Sequence, residues 1–381
     1  MLIGLFTAFA VVVLGGFLLF VRWFLEPYLQ WRRDRDHTFR DEIADVFLDS
    51  SPLTSDSASH PPSPGGSSDV VSRFIVSACH KVQHAKGKSA KEVELSLVIP
   101  AYNEADRLPP MLKDTAKYLL DRRVADPSKS FEVLVVCDGS RDQTARVART
   151  TAAECGIAQE LKVVRLRRNM GKGFAVKMGM LLGQGESLLM VDADGATDIR
   201  DLSHLEAKLH RGARRPPGKP STTADAQTAE YDVVFGSRAH LQKDAVAHRA
   251  WYRNVLMYGF HVFVTLLVGS NVKDTQCGFK LFTRAAARDI FASLNVTRWA
   301  FDIEVLVIAQ RLGLRVAEVA VNWQEIPGSK LNVALASLQM ARDIILVRLL
   351  HALDIWKPCP GASLEKLLAQ PDDRKERRKG D

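Results

Sequence analysis

Short apolar runs alternating with amphipathic stretches constrain this chain more than anything else in it. The runs are residues 95–99, 131–136, 161–166 and 187–191, and helical patterns lie between them at 108–120, from Asp142 and from Lys172. A strand that is apolar throughout has to be covered on both faces. Strand and helix in strict alternation therefore predict an α/β fold, a mainly parallel sheet sandwiched by helices. Residues 231–235 are expected to resume the sheet after a Gly- and Pro-containing surface insertion at 212–230.

In such a sheet, ligands bind outside the carboxyl ends of the strands. All four runs end in polar residues. The first runs into Pro100-Ala101-Tyr102-Asn103-Glu104. Tyr102 can stack on a base, and Asn103 and Glu104 can bond a nucleoside; Asn103 can equally cap the following helix. The second ends in Asp138, a candidate acceptor for a base N–H, with Ser140 and Asp142 as helix caps. The third ends in Asn169-Met170-Gly171-Lys172-Gly173, where glycines, free amides and a lysine at a helix start suit an anion. It is not a dinucleotide fingerprint, because Val176 stands where the last glycine is needed. Gly87-Lys88-Ser89 is not a P-loop either, since Val82 replaces its first glycine.

The fourth run ends in Asp192-Ala193-Asp194. Carboxylates at i and i+2 leave a strand on the same side. Two carboxylates plus substrate phosphate oxygens are a sufficient site for Mg²⁺. Mg²⁺ or Mn²⁺ is the expected cofactor, held against a diphosphate.

Residues 2–21 are apolar and uncharged, long enough at about 1.5 Å per residue to span a bilayer core. Arg22, Arg32, Arg33 and Arg35 follow, so the positive-inside rule places the rest of the chain in the cytosol. Residues 1–25 are thus expected to be a transmembrane signal-anchor. Residues 26–93 form a juxtamembrane segment and linker, with a Ser- and Pro-rich tether at 50–69. The sheet-and-helix domain is expected at 94–330, a membrane-associated amphipathic helical segment at 331–358 and a basic tail at 359–381. A second apolar stretch, 255–268, is short for a span. The net charge of +8 admits nucleic acid, an anionic bilayer or a phosphorylated substrate. No nucleic-acid-binding motif is present, so nucleic acid is not an expected partner. Five scattered cysteines without Cys-x-x-Cys spacing argue against a disulfide framework or a zinc site. Composition leaves the oligomeric state undetermined.

The chain resembles the family 2 glycosyltransferases, inverting enzymes of the GT-A nucleotide-sugar-binding fold, over residues 95–331. The resemblance rests on Val98-Ile99-Pro100-Ala101-Tyr102-Asn103-Glu104, Asn169-Met170-Gly171-Lys172-Gly173, Asp192-Ala193-Asp194-Gly195-Ala196-Thr197 and Gly236-Ser237-Arg238. Narrower segments are Asp274-Thr275-Gln276-Cys277-Gly278-Phe279-Lys280, Trp299-Ala300-Phe301-Asp302-Ile303-Glu304 and the stretch from Asn322 to Lys330. These are similar to the branch that moves glucose from UDP-glucose to dolichyl phosphate for N-glycosylation. Mannosyl transfer from GDP-mannose is the alternative.

By position, the resemblance implies Pro100, Tyr102, Glu104 and Asp138 at the nucleoside. It implies Asp192, Asp194 and Gln276 at the metal, and Arg238 and Lys330 at phosphate. Arg249 or Arg253 would meet the lipid phosphate, and Asp302 is the position for a carboxylate acting on the acceptor. Cys137 departs from the family, whose members usually carry a further aspartate there. The resemblance also implies a single-pass protein of the endoplasmic reticulum membrane with its catalytic domain in the cytosol. In that orientation the sequon Asn295-Val296-Thr297 stays unglycosylated.

Overall fold

The computed structural model describes residues 19–29, 93–209, 231–240, 269, 272–326 and 338–358, and the backbone alone of 43–47 and 333–337. Strands β1 (Ile43–Phe47), β2 (Leu95–Ala101), β3 (Phe131–Cys137), β4 (Leu161–Leu166), β5 (Ser187–Val191), β6 (Val233–Ser237), β7 (Phe279–Thr283) and β8 (Val316–Ala320) form one sheet. Its order is β1-β4-β3-β2-β5-β7-β6-β8. β4, β3, β2 and β5 are parallel neighbours, and β6 pairs in parallel with β8. β7 runs against both β5 and β6, and β1 runs against β4. The sheet is therefore mixed, with two reversed strands.

Helix α1 is the segment 19–29. The others are α2 (Leu108–Ala125), α3 (Thr144–Glu154), α4 (Lys172–Leu182), α5 (Leu202–Glu206), α6 (Arg284–Ser293), α7 (Phe301–Arg311) and α8 (Val333–Ala352). Successive side chains of a strand point to opposite faces. Leu95, Leu97 and Ile99 of β2 join Leu108, Leu112 and Leu119 of α2 in one core. Val98 points the other way, into a core with α4, α6, α7 and α8. The same alternation puts Val133 and Val135 of β3 in the first core, and Leu134 and Val136 against α4. A fully buried side chain of this kind contributes about 1.5–3 kcal/mol, so strands that are apolar on both faces stabilise both layers at once. Phe282 and Phe291 meet edge to face at 5.3 Å in the second core.

The chain leaves β2 toward β3 and β4, then crosses back to add β5 on the other side of β2. That reversal opens a crevice at the carboxyl ends of β2 and β5. The strand β1 and the reversed direction of β7 were not expected. The first lies just before the Ser- and Pro-rich stretch. The second is a matter of topology, on which periodicity is silent.

The N- and C-terminal helices dock on each other. Arg342 donates through Nη1 to the Trp23 carbonyl at 3.0 Å, and its guanidinium lies 4.9 Å from the centre of the Trp23 ring. Phe24, Leu25 and Tyr28 pack against the core that contains Ile344, Val347 and Leu350 of α8. Leu19, Phe20, Leu338, Leu349, Leu353 and Ile355 stay exposed. Among the described residues, no helix is long and apolar enough to cross a membrane. Most of the apolar run 2–21, the tether, the insertion at 212–230, the stretch 255–268 and the tail lie outside the described residues.

Candidate active site

The four parallel strand ends gather at the crevice, and those of β2, β3 and β4 are tied to one another through backbone amides. Asn103, at φ 55°, accepts from the Arg141 amide at 2.8 Å, and its own amide donates to Ser140 Oγ. The Glu104 amide donates to Thr144 Oγ1, and the Ala105 amide to Asp142 Oδ2. Asp138 accepts from the Met170 amide at 2.7 Å and the Gly171 amide at 2.9 Å. Burial raises the carboxyl pKa of Asp138 against the pull of those two amides. Expected as an acceptor open to a base, Asp138 instead has both oxygens on the loop that launches α4. Asn103 and Asp142 likewise bind loop to loop.

Pro100 is buried in β2, in register with Val136 of β3. Tyr102 is exposed at the mouth, free to stack. Glu104 forms a two-bond pair with Arg107, at 2.7 and 2.5 Å. Burial raises its pKa, and Arg107 opposes that rise.

At the end of β5, Asp192 Oδ1 lies 2.6 Å from Lys172 Nζ. Burial alone would depress this lysine, but Asp192 and Asp302 outweigh it and raise its pKa, so it stays charged. Apart from that ion pair, Asp192 Oδ1 is a buried oxygen with no hydrogen bond. Asp194 accepts from the Ala196 amide at 3.0 Å and sits 3.9 Å from Arg107 Nη1. The two carboxylates are thus held by cations on either side. Among the described residues, no group of three or more His, Cys, Asp or Glu side chains could hold a metal. A cation here would use the aspartate pair and take its remaining ligands from whatever binds beside it. The under-bonded Asp192 oxygen suits that arrangement.

Gly278 explains why the Asp192 side chain can lie where it does. A Cβ at Gly278 would fall 2.0 Å from Asp192 Oδ2, and the Asp192 amide donates to the Gly278 carbonyl. Gly278→Ala is expected to displace the carboxylate and lower turnover about a hundredfold, the scale of a 1 Å misplacement. Steady-state rates beside an unchanged circular dichroism spectrum would check it.

The remaining predicted residues divide. Arg238 reaches Asp274 with Nε at 2.7 Å and Nη2 at 2.9 Å, and lies 5.3 Å from the centre of the Trp323 ring. Burial tends to raise Asp274, but the guanidinium prevails and holds its carboxyl below the usual range. Arg238 is therefore a partnered cation at the end of β6, half-exposed. Gln276, expected as a further ligand at the metal, donates its amide to the Met340 sulfur of α8. Asp302 is buried, and its Oδ1 lies 2.6 Å from Lys280 Nζ; Lys280 also donates to the Cys277 carbonyl. Burial raises Asp302, and Lys280 and Lys172 pull the other way. Asp302 thus sits between two lysines. Arg249, Arg253 and Lys330 lie outside the described residues.

Residues 96–215 match the model of glycosyl transferase family 2. The chain is 46% identical to dolichyl-phosphate beta-glucosyltransferase of Dictyostelium discoideum over 70% of its own length and 77% of that protein. The chain belongs to the dolichyl-phosphate β-glucosyltransferase family. It is 45% identical to the Homo sapiens member, over 69% of this chain and 78% of that one. Saccharomyces cerevisiae has a member 34% identical over 78% of this chain and 89% of the other. A solved structure of glucosyl-3-phosphoglycerate synthase from Mycobacterium tuberculosis with UDP covers 69% of this chain and 84% of its own at 19% identity, with a TM-score of 0.43.

Arg107, Lys280 and Gly278 were not predicted as site residues. Arg107 had a signal, an arginine three residues beyond Glu104 at a helix start. Gly278 and Lys280 lie in one of the narrow segments that carry the resemblance, but a lysine in an apolar strand declares its partner only through the fold. Trp299, half-exposed with its ring 5.8 Å from Lys172 Nζ, also borders the crevice.

Proposed function

We propose that the chain transfers glucose from UDP-glucose to dolichyl phosphate with inversion, giving dolichyl β-D-glucosyl phosphate. One observation carries this reading. The Asp192–Asp194 pair, Lys172 and Tyr102 meet at one crevice, in a chain whose close relatives are named for that transfer. Tyr102 would stack on uracil, with Pro100 as the wall beneath the base. Asp192 and Asp194 would hold Mg²⁺ or Mn²⁺, which when bound neutralises charge on the departing diphosphate. Lys172, and Arg238 through the donors Asp274 leaves free, would add fixed positive charge near the same phosphates. A phosphate monoester has a second pKa of about 6, so the acceptor arrives ionised and needs no base. That agrees with Asp302, which is committed to Lys280 and charge-coupled to Lys172. Attack from the face opposite the leaving UDP inverts the anomeric carbon.

The acceptor's phosphate lies at a bilayer surface. The exposed apolar residues of α1 and α8 are suited to meet that surface, with residues 1–25 as anchor and the site in the cytosol at the endoplasmic reticulum. The test is product analysis with labelled UDP-glucose and GDP-mannose on a polyprenyl phosphate, with and without EDTA. Glucosyl lipid from UDP-glucose alone, abolished by EDTA, is expected. Transfer from GDP-mannose, or an unchanged rate in EDTA, would overturn the sugar or the metal respectively.

A further inference from the structure

We propose that Glu304 is a positioning residue that carries the docking of helix α8 to Lys172. Its side chain is fully buried in the first turn of α7. Four donors converge on it. The amides of Asn295 and Val296 reach Oε2 at 3.0 and 2.6 Å, and Asn295 Nδ2 reaches Oε1 at 2.9 Å. The fourth is His351 of α8, whose Nε2 lies 3.1 Å from Oε1. Only a carboxylate can accept at every one of these contacts.

The loop that Glu304 ties down, residues 294–298, is what α4 starts against. The Phe174 amide donates to the Thr297 carbonyl at 3.0 Å. Gly171 has φ 102°, and a Cβ there would fall 2.5 Å from that same carbonyl oxygen. A Cβ at Gly173 would fall 2.7 Å from the Val296 carbonyl oxygen. Between these two glycines stands Lys172, paired with Asp192. Lys177 of α4 donates to the Leu294 carbonyl at 2.7 Å, fastening the near end of the loop. His351 is buried, packs edge-on against Trp356 at 5.7 Å, and its carbonyl accepts from Arg311. A continuous chain of bonds thus runs from α8, through His351 and Glu304, to the loop that fixes the Lys172 turn. Seating of α8 sets how firmly the phosphate-facing lysine is held. This positioning role is additional to the proposed reaction and rests on it only for the part that Lys172 plays.

The test uses the full chain in detergent, with hydrogen exchange at the Phe174 amide and affinity for UDP with Mg²⁺ as readouts. Glu304→Gln is expected to speed exchange at Phe174 about tenfold and weaken UDP binding about tenfold, since a charged hydrogen-bond acceptor is halved. His351→Phe keeps the ring against Trp356 and is expected to move both readouts in the same direction by less. Leu119→Ala, in the core on the opposite face of the sheet, is expected to lower the unfolding midpoint and leave both readouts unchanged. Wild-type exchange at Phe174 in Glu304→Gln would overturn the positioning role, as would equal weakening of UDP in Leu119→Ala. Wild-type exchange in His351→Phe would overturn the link to α8. Should Glu304→Gln not fold, Asn295→Ala and His351→Phe are measured by the same two readouts, and wild-type exchange in both would overturn the positioning role. A wild-type chain that fails to bind UDP would sink the proposed function, while the exchange arm would still decide the positioning claim.

Discussion

Replacing Asp192 with asparagine is expected to lower glucose transfer about a thousandfold, with the chain still folded. Two losses coincide at this position. The carboxylate is one half of the aspartate pair proposed to hold the cation, in a crevice where, among the described residues, no group of three or more His, Cys, Asp or Glu side chains could hold one without a ligand's help. It is also the near counter-ion of Lys172, 2.6 Å away. Without it, Lys172 keeps only the more weakly acting Asp302 and Asp194 as acidic neighbours, and Asp302 is already bonded to Lys280. Initial rates with UDP-glucose and a polyprenyl phosphate measure the first loss. Unfolding midpoints show that the fold survives. A variant within tenfold of wild type would remove Asp192 from the site.

Lys280→Met is the second large effect, and it falls on stability. Lys280 is fully buried in β7, against Phe235, with its ammonium on Asp302 and on the Cys277 carbonyl. Methionine fills the same volume but leaves the Asp302 carboxylate buried beside a bare carbonyl. Removing one partner of a buried pair costs about 3–5 kcal/mol. Chemical denaturation should show that loss. The double variant Lys280→Met with Asp302→Leu should recover part of it, because no buried charge then remains unmatched. A single variant as stable as wild type would mean that water reaches Asp302.

The layers of this fold were legible because its central strands are apolar on both faces. Val98 and Ile99 announce two cores, not one. The strand ends were legible too, since polar residues there have no role inside a sheet. Glu104, Lys172 and the aspartate pair indeed meet at the crevice. What escaped was every feature decided by long-range pairing. Nothing local in Gln276 points to the Met340 sulfur, and nothing in Arg238 points to Asp274. Asp138 looks open to a ligand in the sequence because its amide partners, Met170 and Gly171, come from the distant loop between β4 and α4. β1 escaped because its strand pattern is brief and its partner β4 lies more than a hundred residues on.

The clasp between Trp23 and Arg342 bears on how this protein can be handled. The helix at residues 19–29 also roofs part of the interior, with Phe24, Leu25 and Tyr28 packed on the core that α8 completes. Trimming residues 1–29 to gain a soluble catalytic fragment would strip that roof and bare the greasy flank of the last helix. Such a fragment would present to water an apolar surface that residues 19–29 cover in the full chain, and would be prone to self-association for that reason.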